Sequence, residues 1–531
     1  MLMTLEKAVA ISIKNIIKEG LTDIFDRPFE VDLLSKNLEF QKKIQEKTIS
    51  CIRSGAISGL SVSPIDYVLM PKNTAFNFRK CALIQPHDTI KYLAIVLIIT
   101  DVIEKARVPI SQKRVFSYRF RPNDGYLFNK NYTITSFRAQ VSERAKRRKT
   151  KIIVSCDIAN YYERLNLHRL QNTLLSINCN RNAVNLINDL LMYWSNRDSY
   201  GLPVGSNASR ILSEANLIGV DNYLLSMNVD FMRFVDDYRF FAPDASTAHY
   251  WLTILIDRLG QEGLSINMNK TKIEPSEYFK NNTKSLNLNH KVERNTNPFI
   301  IKAGYGGTVP TRFRKLSNSE TEKLDSMDLN RLFDNINTND LVEASELIDV
   351  IKACVAQQKY SLLLDILPII SRYLQLSPYY IDTLTKYAEH FTNDEISKIK
   401  SHFSKELKSR KFLPEYLRIS YIKLLGCKPF DDKALLLECF RNLRRDSGAY
   451  VGCVLLNSLY ELAAREDVLE IRKGFSRADL WEKRQIIRII NKVLEEEEKR
   501  PWIKNVRQLD SREIFLLEVM EPTRPKKVKK K

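Results

Sequence analysis

The sequence lacks the paired cysteines and histidines from which zinc sites are built. Its eight cysteines are scattered over 531 residues without a C-x-x-C pair, and its six histidines do not cluster with them. A disulfide framework is typical of small secreted chains with closely spaced cysteines. The pattern therefore argues against a zinc site and against a disulfide scaffold, and it predicts a protein of the reducing cytoplasm.

The sequence also lacks a long apolar run. The longest, YLAIVLII at 92–99, is far shorter than the roughly 20 residues that cross a bilayer, and it predicts a buried helix. The N-terminal segment, 1–20, alternates apolar residues with Lys and Glu at helical spacing and has no uninterrupted apolar core of a signal peptide. We therefore predict no membrane segment.

Acidic residues are too few to balance the basic ones. Lys and Arg number 83 against 63 Asp and Glu, which gives a formal net charge of +20. A surplus of this size favours a polyanionic partner, nucleic acid before a membrane surface, although a generally basic soluble protein is the alternative. With 44% hydrophobic residues, the chain is long enough for two or more domains.

The residue pattern changes along the chain and predicts an α+β part followed by an all-α part. Strands and helices alternate in the middle, which is typical of helices packed on one antiparallel sheet. From about residue 329, short amphipathic helices follow one another, including predicted helices at 341–358 and 360–376. They favour a helical-repeat solenoid, with a non-repetitive bundle as the alternative. The predicted domain boundaries are 1–150, 151–275, 276–328, 329–515 and a basic tail, 516–531.

Local patterns also predict the elements of the middle part. A hairpin carries two adjacent aspartates in FMRFVDDYRFFAP, 231–243. The other predicted elements are a strand at 151–158, a helix at 167–177, a helix at 209–227, a helix at 246–263 and a strand at 264–273.

Three carboxylates form the candidate chemical centre. Asp236 and Asp237 lie at the tip of the predicted hairpin, and Asp157 ends an apolar strand. If these strands are neighbours, the three groups converge on one edge of the sheet. Carboxylates without His or Cys are hard oxygen ligands suited to Mg²⁺, and two such ions can support phosphoryl transfer. A solvated acidic turn is the alternative for the pair taken alone.

Four short motifs follow one another along the chain: CDIANYY at 156–162, GLPVGSNASRIL at 201–212, FVDD at 234–237 and GLSINMNKTKI at 263–273. In this order they resemble the motifs of a reverse transcriptase. The resemblance covers roughly residues 60–273, and the upstream segment 70–96 resembles the finger segments that hold a nucleoside triphosphate. It implies reverse transcriptase fingers in 1–150 and a palm in 151–275.

The resemblance also implies roles for individual residues. Tyr162 would lie under the sugar of the incoming nucleotide and exclude a 2′-hydroxyl, and Lys270 would act on the pyrophosphate leaving group. Val204 stands where the family commonly has Gln, which puts ordinary template handling in doubt. The implied catalytic residues are Asp157, Asp236, Asp237 and Lys270. The implied metal contacts, for two Mg²⁺ ions, are Asp157, Ile158, Asp236 and Asp237. The implied nucleotide contacts are Lys72, Arg79, Ile158, Tyr162, Gly205, Ser206 and Ser209.

Within that family the chain is most similar to the bacterial abortive-infection and defence-associated enzymes. The form RFVDDYRFF and a helical C-terminal part after the palm carry this likeness. It implies a HEAT-like repeat domain, a cytoplasmic homo-oligomer, and addition of deoxynucleoside triphosphates to a DNA product in anti-phage defence. Synthesis could be untemplated, protein-primed or dependent on a non-coding RNA.

Two alternatives remain open. One is a retron- or intron-type enzyme that copies a specific RNA. The other is a scaffold that binds nucleic acid or protein partners and does not need catalysis.

Overall fold

The computed structural model describes residues 3–22, 24–72, 77–280, 300–304, 310–315, 318–338, 344–409, 413–443, 445–509 and 513–523. The part before residue 150 is mostly helical and carries two small hairpins. Its elements are α1 (Leu5–Glu19), α2 (Phe29–Lys36), α3 (Leu38–Arg53), α4 (Ile57–Leu60), β1 (Asp66–Pro71), β2 (Phe78–Leu83), α5 (Pro86–Ala106), β3 (Phe120–Asn123), β4 (Tyr126–Phe128) and α6 (Ile134–Ala145).

The middle part alternates strands and helices, which confirms the α+β prediction. Its elements are β5 (Ile152–Asp157), α7 (Tyr161–Arg164), α8 (Leu167–Ser176), α9 (Arg181–Trp194), α10 (Asn207–Asn216), α11 (Ile218–Ser226), β6 (Phe231–Phe234), β7 (Asp237–Ala242), α12 (Ala245–Gln261), β8 (Lys272–Pro275) and α13 (Glu277–Lys280). The strands form a four-stranded antiparallel sheet in the order β6-β7-β5-β8.

Helices cover both faces of this sheet. Ile153 and its register partner Phe241 belong to a small core cluster with Phe137 of α6. Val154 and its partner Phe240 belong to the main core, and α12 packs on β5 and β7. Successive residues of a strand point to opposite faces, so these neighbouring pairs serve different cores. Helix α5 contains the predicted apolar run, which is buried as expected.

A second hairpin and a series of helices follow. Their elements are β9 (Ile300–Gly304), β10 (Pro310–Lys315), α14 (Asn318–Asp325), α15 (Leu329–Thr338), α16 (Ala344–Ala356), α17 (Leu367–Ile370), α18 (Ser377–Lys386), α19 (Asn393–Ser409), α20 (Glu415–Leu425), α21 (Lys433–Arg441), α22 (Val451–Leu459), α23 (Arg465–Ile471), α24 (Leu480–Val493), α25 (Glu496–Leu509) and α26 (Ile514–Met520).

The last helices stack in a regular order. Helices α18, α20, α22, α24 and α26 form a row in which each member packs against the next. Helices α19, α21, α23 and α25 each pack against the following member of that row. The described residues thus contain stacked helix pairs, whereas a HEAT-like classification stays a prediction.

The helix row is anchored on the N-terminal part. Arg484 of α24 forms a fully buried ion pair with Glu30 of α2 at 2.6 Å and bonds the Gln85 side chain at 2.8 Å. Phe515 of α26 packs edge-on against Phe40 of α3 at 5.2 Å between ring centroids. These contacts make the helical part and the N-terminal helices one packed unit.

Three predicted elements differ in the structure. The helix at 209–227 is broken at Leu217, whose ψ of 1° leaves the helical range and separates α10 from α11. The strand at 264–273 is mostly irregular, and Met268–Lys270 forms a short 3₁₀ turn before β8. The run at 360–376 is largely 3₁₀, because Pro368 lacks the amide proton needed to continue a helix and instead begins the short α17.

The last helix crosses one of the predicted domain boundaries. Helix α26 extends the helical part past the predicted boundary at residue 515, and residues 524–531 of the predicted tail lie outside the described residues. Among the residues that are described, no helix is both long and apolar enough to cross a membrane.

Candidate active site

The register of the sheet brings the three aspartates to one edge. Asp157, the last residue of β5, is the direct cross-strand partner of Asp237, the first residue of β7. Asp236 lies in the two-residue turn between β6 and β7, and its carbonyl accepts a 3.0 Å hydrogen bond from the amide of Ile158. The neighbouring strands expected from the sequence therefore exist, and all three aspartate side chains are half-buried.

The turn that carries Asp236 has a strained backbone. Val235 has a φ of +57°, a left-handed conformation that β-branched residues rarely adopt. The buried guanidinium of Arg233 donates to the Val235 carbonyl at 2.8 Å. This bond anchors the turn to the buried side chain of Arg233, and Asp236, the next residue, lies at the sheet edge.

Arg233 is itself fixed by two buried carboxylates. It bonds Asp221 of α11 at 2.6 Å and Glu214 of α10 at 3.0 Å. Burial raises the pKa of Glu214, but the charges of Arg233 and Arg107 outweigh it and leave the pKa below its usual value. The break at Leu217 lets both helices contribute to this cluster beneath the turn between β6 and β7.

The aspartates repel one another. Burial, and next the negative charge of Asp157, raise the pKa of Asp236 to about 7. Burial also raises the pKa of Asp237, although Arg239 opposes the shift. A cation bound at this edge would relieve the repulsion, which is the electrostatic condition of a metal site.

Protein cations already contact two of the carboxylates. Lys270 donates to the Asp157 carboxylate at 3.0 Å, and Arg239 forms an ion pair with Asp237. The amide of Asn267 donates to the Asp157 carbonyl at 2.7 Å. This backbone bond brings the segment around Asn267 next to Asp157. Lys270 therefore contacts Asp157 from a short 3₁₀ helix, Met268–Lys270, and not from a strand.

The finger hairpin contributes the predicted triphosphate residues. Lys72 follows β1 and its amide bonds the Asn77 carbonyl at 2.7 Å, whereas Arg79 lies on β2 opposite Met70. Burial, and then the charges of Arg79 and Lys270, lower the pKa of Lys72. Asp236 acts on Lys72 in the opposite sense, so the hairpin and the carboxylates share one electrostatic environment.

Tyr162 follows the Asp157 strand in α7 and is half-buried. Its carbonyl accepts a 2.8 Å bond from the amide of Leu202 in the GLPVG loop. Ile158 is different, because its side chain is buried in the core, so any metal or nucleotide contact would come from its backbone.

The GLPVG loop packs tightly between fingers and palm. Gly205 has a φ of +118°, and a Cβ there would lie 2.5 Å from the Thr22 hydroxyl oxygen. The Val204 carbonyl accepts a 3.1 Å bond from the Ala82 amide of β2. The loop is thus held by its backbone against the finger hairpin.

The two serines after this loop have protein partners. Ser206 caps α10 by accepting from the Ser209 amide at 3.1 Å, and the Ser209 hydroxyl lies 3.1 Å from that of Tyr92. Both serines are buried. In the structure Ser206 is a helix cap and Ser209 makes a buried hydrogen bond. Their contact with a nucleotide stays a prediction.

The donor set at the sheet edge suits Mg²⁺ by its chemistry, since it consists of carboxylate oxygens without His or Cys. Within the described ranges, however, no three His, Cys, Asp or Glu side chains are arranged to hold a metal ion. In this structure Asp157 and Asp237 are ion-paired with Lys270 and Arg239.

Sequence reasoning missed the residues that support the aspartates. Arg239 follows Asp237 by two positions and so shares its face of β7. Arg233 could have been noticed as a lone arginine in an apolar strand, which requires buried anionic partners. Asn267 carries no comparable signal, because its contacts with Asp157 join segments that are distant in the sequence.

Comparison with protein families found one match. Residues 70–281 match the family described as reverse transcriptase (RNA-dependent DNA polymerase). Comparison with curated proteins found no match.

Among solved structures, telomerase from Candida albicans with a fragment of telomeric RNA is 12% identical, with a TM-score of 0.31, over 68% of this chain and 66% of that chain. Apo telomerase from Candida tropicalis is 12% identical, with a TM-score of 0.30, over 82% and 74%. This chain thus spans about two thirds to three quarters of those chains, and so low a similarity carries no argument about function. The family match does bear on function, because residues 70–281 match the reverse transcriptase (RNA-dependent DNA polymerase) family as a domain.

Proposed function

We propose that the protein is a Mg²⁺-dependent DNA polymerase that adds deoxynucleotides and acts in bacterial anti-phage defence. The observation that carries the catalytic part is the meeting of Asp157 with the Asp236–Asp237 turn at one sheet edge. The defence role rests on the resemblance of the sequence to abortive-infection enzymes.

Asp157 and Asp236 are the proposed metal-binding carboxylates, with the backbone of Ile158 beside them. Asp237 is a weaker ligand because Arg239 is bound to it. Bound Mg²⁺ would supply positive charge to the attacking and leaving oxygens of phosphoryl transfer. The proposed binding displaces Lys270 from Asp157 and so frees its ammonium for the substrate.

The remaining site residues act on the nucleotide. Lys72 and Arg79 grip the triphosphate, and Lys270 neutralises or protonates the departing pyrophosphate. Tyr162 excludes a 2′-hydroxyl and thereby selects deoxynucleotides. Gly205, Ser206 and Ser209 are the proposed nucleotide contacts on the side of the GLPVG loop.

Val204 supports synthesis without a conventional template. Its side chain offers no polar contact where the family commonly has Gln, and its carbonyl is already bonded to Ala82. We propose that synthesis is untemplated, protein-primed or dependent on a non-coding RNA, and that the protein acts as a cytoplasmic homo-oligomer.

The test supplies purified protein with Mg²⁺ and one labelled dNTP or NTP at a time, without template. Asp157→Asn and Asp236→Asn should abolish incorporation and phage protection. Asp189→Asn is a matched control, since Asp189 is an exposed aspartate of α9 remote from the sheet edge in sequence.

The products distinguish the alternatives. DNA that forms without template and shifts on protease treatment supports protein-primed synthesis. DNA that forms only with added or co-purified RNA would replace this proposal by an RNA-templated reaction. Absence of incorporation, with phage protection intact in both aspartate variants, would favour the scaffold.

A further inference from the structure

Two adjacent tyrosines are tied to a single serine. The Tyr161 hydroxyl donates to the backbone carbonyl of Ser213, and the Tyr162 hydroxyl oxygen lies 3.1 Å from the Ser213 hydroxyl oxygen. Ser213 lies in the middle of α10 and is fully buried. One residue of the helix after the GLPVG loop therefore fixes both rings that follow Asp157.

The Ser213 hydroxyl faces two acceptors. It donates to the Tyr162 hydroxyl oxygen at 3.1 Å, and it lies 2.9 Å from the carbonyl oxygen of Arg210, one turn earlier in the same helix. Because a serine hydroxyl has one proton, the two acceptors share it.

Further contacts involve the backbone and the ring of Tyr162. Its carbonyl is bonded to the Leu202 amide, and the Tyr161 ring packs edge-on at 5.7 Å between centroids. A half-buried ring held in this way could still rotate toward or away from the site. The bond to Ser213 fixes the far end of the side chain.

We propose that Ser213 is a positioning residue that sets sugar selectivity through Tyr162. By holding the Tyr162 hydroxyl, it keeps the ring where a 2′-hydroxyl would have to fit. The inference rests on the proposed function, because it requires Tyr162 to face the sugar.

The test measures kcat/KM for one dNTP and for the matching NTP in wild type, Ser213→Ala, Tyr162→Phe and the double variant. Each single variant should lower the preference for dNTP about three- to tenfold, the factor expected from one net hydrogen bond. The double variant should lose no more than either single one, because both remove the same bond. In Ser213→Ala, the kcat/KM for dNTP should change little, so that the lower preference comes from faster use of NTP.

Ser420→Ala is the matched control. Its buried hydroxyl bonds a helix carbonyl, that of Tyr416, at 2.8 Å in the C-terminal part. Ser420→Ala should lower the stability about as much as Ser213→Ala does, but it should leave the preference for dNTP over NTP unchanged. Tyr162→Phe keeps the test decisive if Ser213→Ala does not fold, because it removes only the hydroxyl.

Unchanged preference in Tyr162→Phe, or additive losses in the double variant, would overturn the inference and leave the polymerase proposal standing. A wild-type protein that incorporates neither nucleotide would instead overturn the proposed function, and this inference with it.

Discussion

Arg233 and Val235 lie two residues apart, and the side chain of the first supports the backbone of the second. The guanidinium donates to the Val235 carbonyl at 2.8 Å, while Val235 holds a φ of +57°. Since Asp236 follows directly, a buried charge cluster and a strained turn together determine where the Asp236 carboxylate lies.

Because the backbone at Val235 is strained, a glycine variant should be at least as stable as an alanine variant there, which is the reverse of the usual order. Val235→Ala should destabilise the protein by about 1–2 kcal/mol, because it removes buried methyl groups and keeps the left-handed backbone. Val235→Gly loses one further buried carbon, the Cβ, but it relieves the strain, so it should be at least as stable as Val235→Ala. Thermal unfolding of both variants checks this, and a clearly less stable glycine variant would mean that the turn is unstrained.

Lys270 should affect chemistry and not folding. Its side chain is 61% exposed and contacts only a carboxylate edge, so Lys270→Gln should leave the unfolding temperature unchanged. It should lower the rate of dNTP incorporation about 10²-fold or more through loss of general-acid or electrostatic assistance. Lys272→Gln is the control on the neighbouring strand, and equal rates for the two variants would remove Lys270 from the mechanism.

The buried pair of Glu30 and Arg484 should be costly to break singly. Glu30→Leu or Arg484→Met removes one partner of the buried ion pair, and each should destabilise the protein by about 3–5 kcal/mol. The combination Glu30→Leu with Arg484→Met should recover most of that loss. Thermal unfolding measures the three variants.

The exposed pair of Arg441 and Glu470 provides the control for this cycle. Glu470→Gln should have little effect, since water screens that pair. If the double variant at Glu30 and Arg484 loses as much stability as the two single variants together, the ion pair does not couple these two positions.

Glu482 should make stability depend on pH. Burial, and next the charge of Asp479, raise the pKa of Glu482 from 4.5 to about 7. The folded state therefore holds this proton more tightly than the unfolded chain, so its contribution falls as pH rises from about 4.5 to about 7.

Glu482→Gln keeps an N3 residue that can bond back to the Asp479 amide, but it cannot ionise. It should unfold at a temperature that changes less between about pH 5 and pH 7.5 than that of wild type. Glu497→Gln, at an exposed position, should retain the wild-type slope, and an identical slope in Glu482→Gln would refute the assignment.

Local pattern was sufficient for the elements that carry the motifs. The strand before Asp157, the hairpin around Asp236 and the buried α5 follow from alternation and apolar runs, which depend on nearby residues alone. The same reasoning failed at 264–273, because the path of that segment is set by bonds of Asn267 and Lys270 to Asp157, more than a hundred residues earlier.

The order of the motifs and the three aspartates were thus determined by the sequence itself, since each belongs to a short pattern with its own chemistry. The tertiary structure alone decided that Asp157 faces Asp237, that Arg233 supports Val235 and that Ser213 holds Tyr162. It also decided the stacking of the C-terminal helices, in which Lys433, Arg441 and Arg465 bond acidic residues 34, 29 and 33 positions later. These offsets vary, so no strict repeat is visible in the sequence, and contacts between distant segments, not local propensity, fix the arrangement.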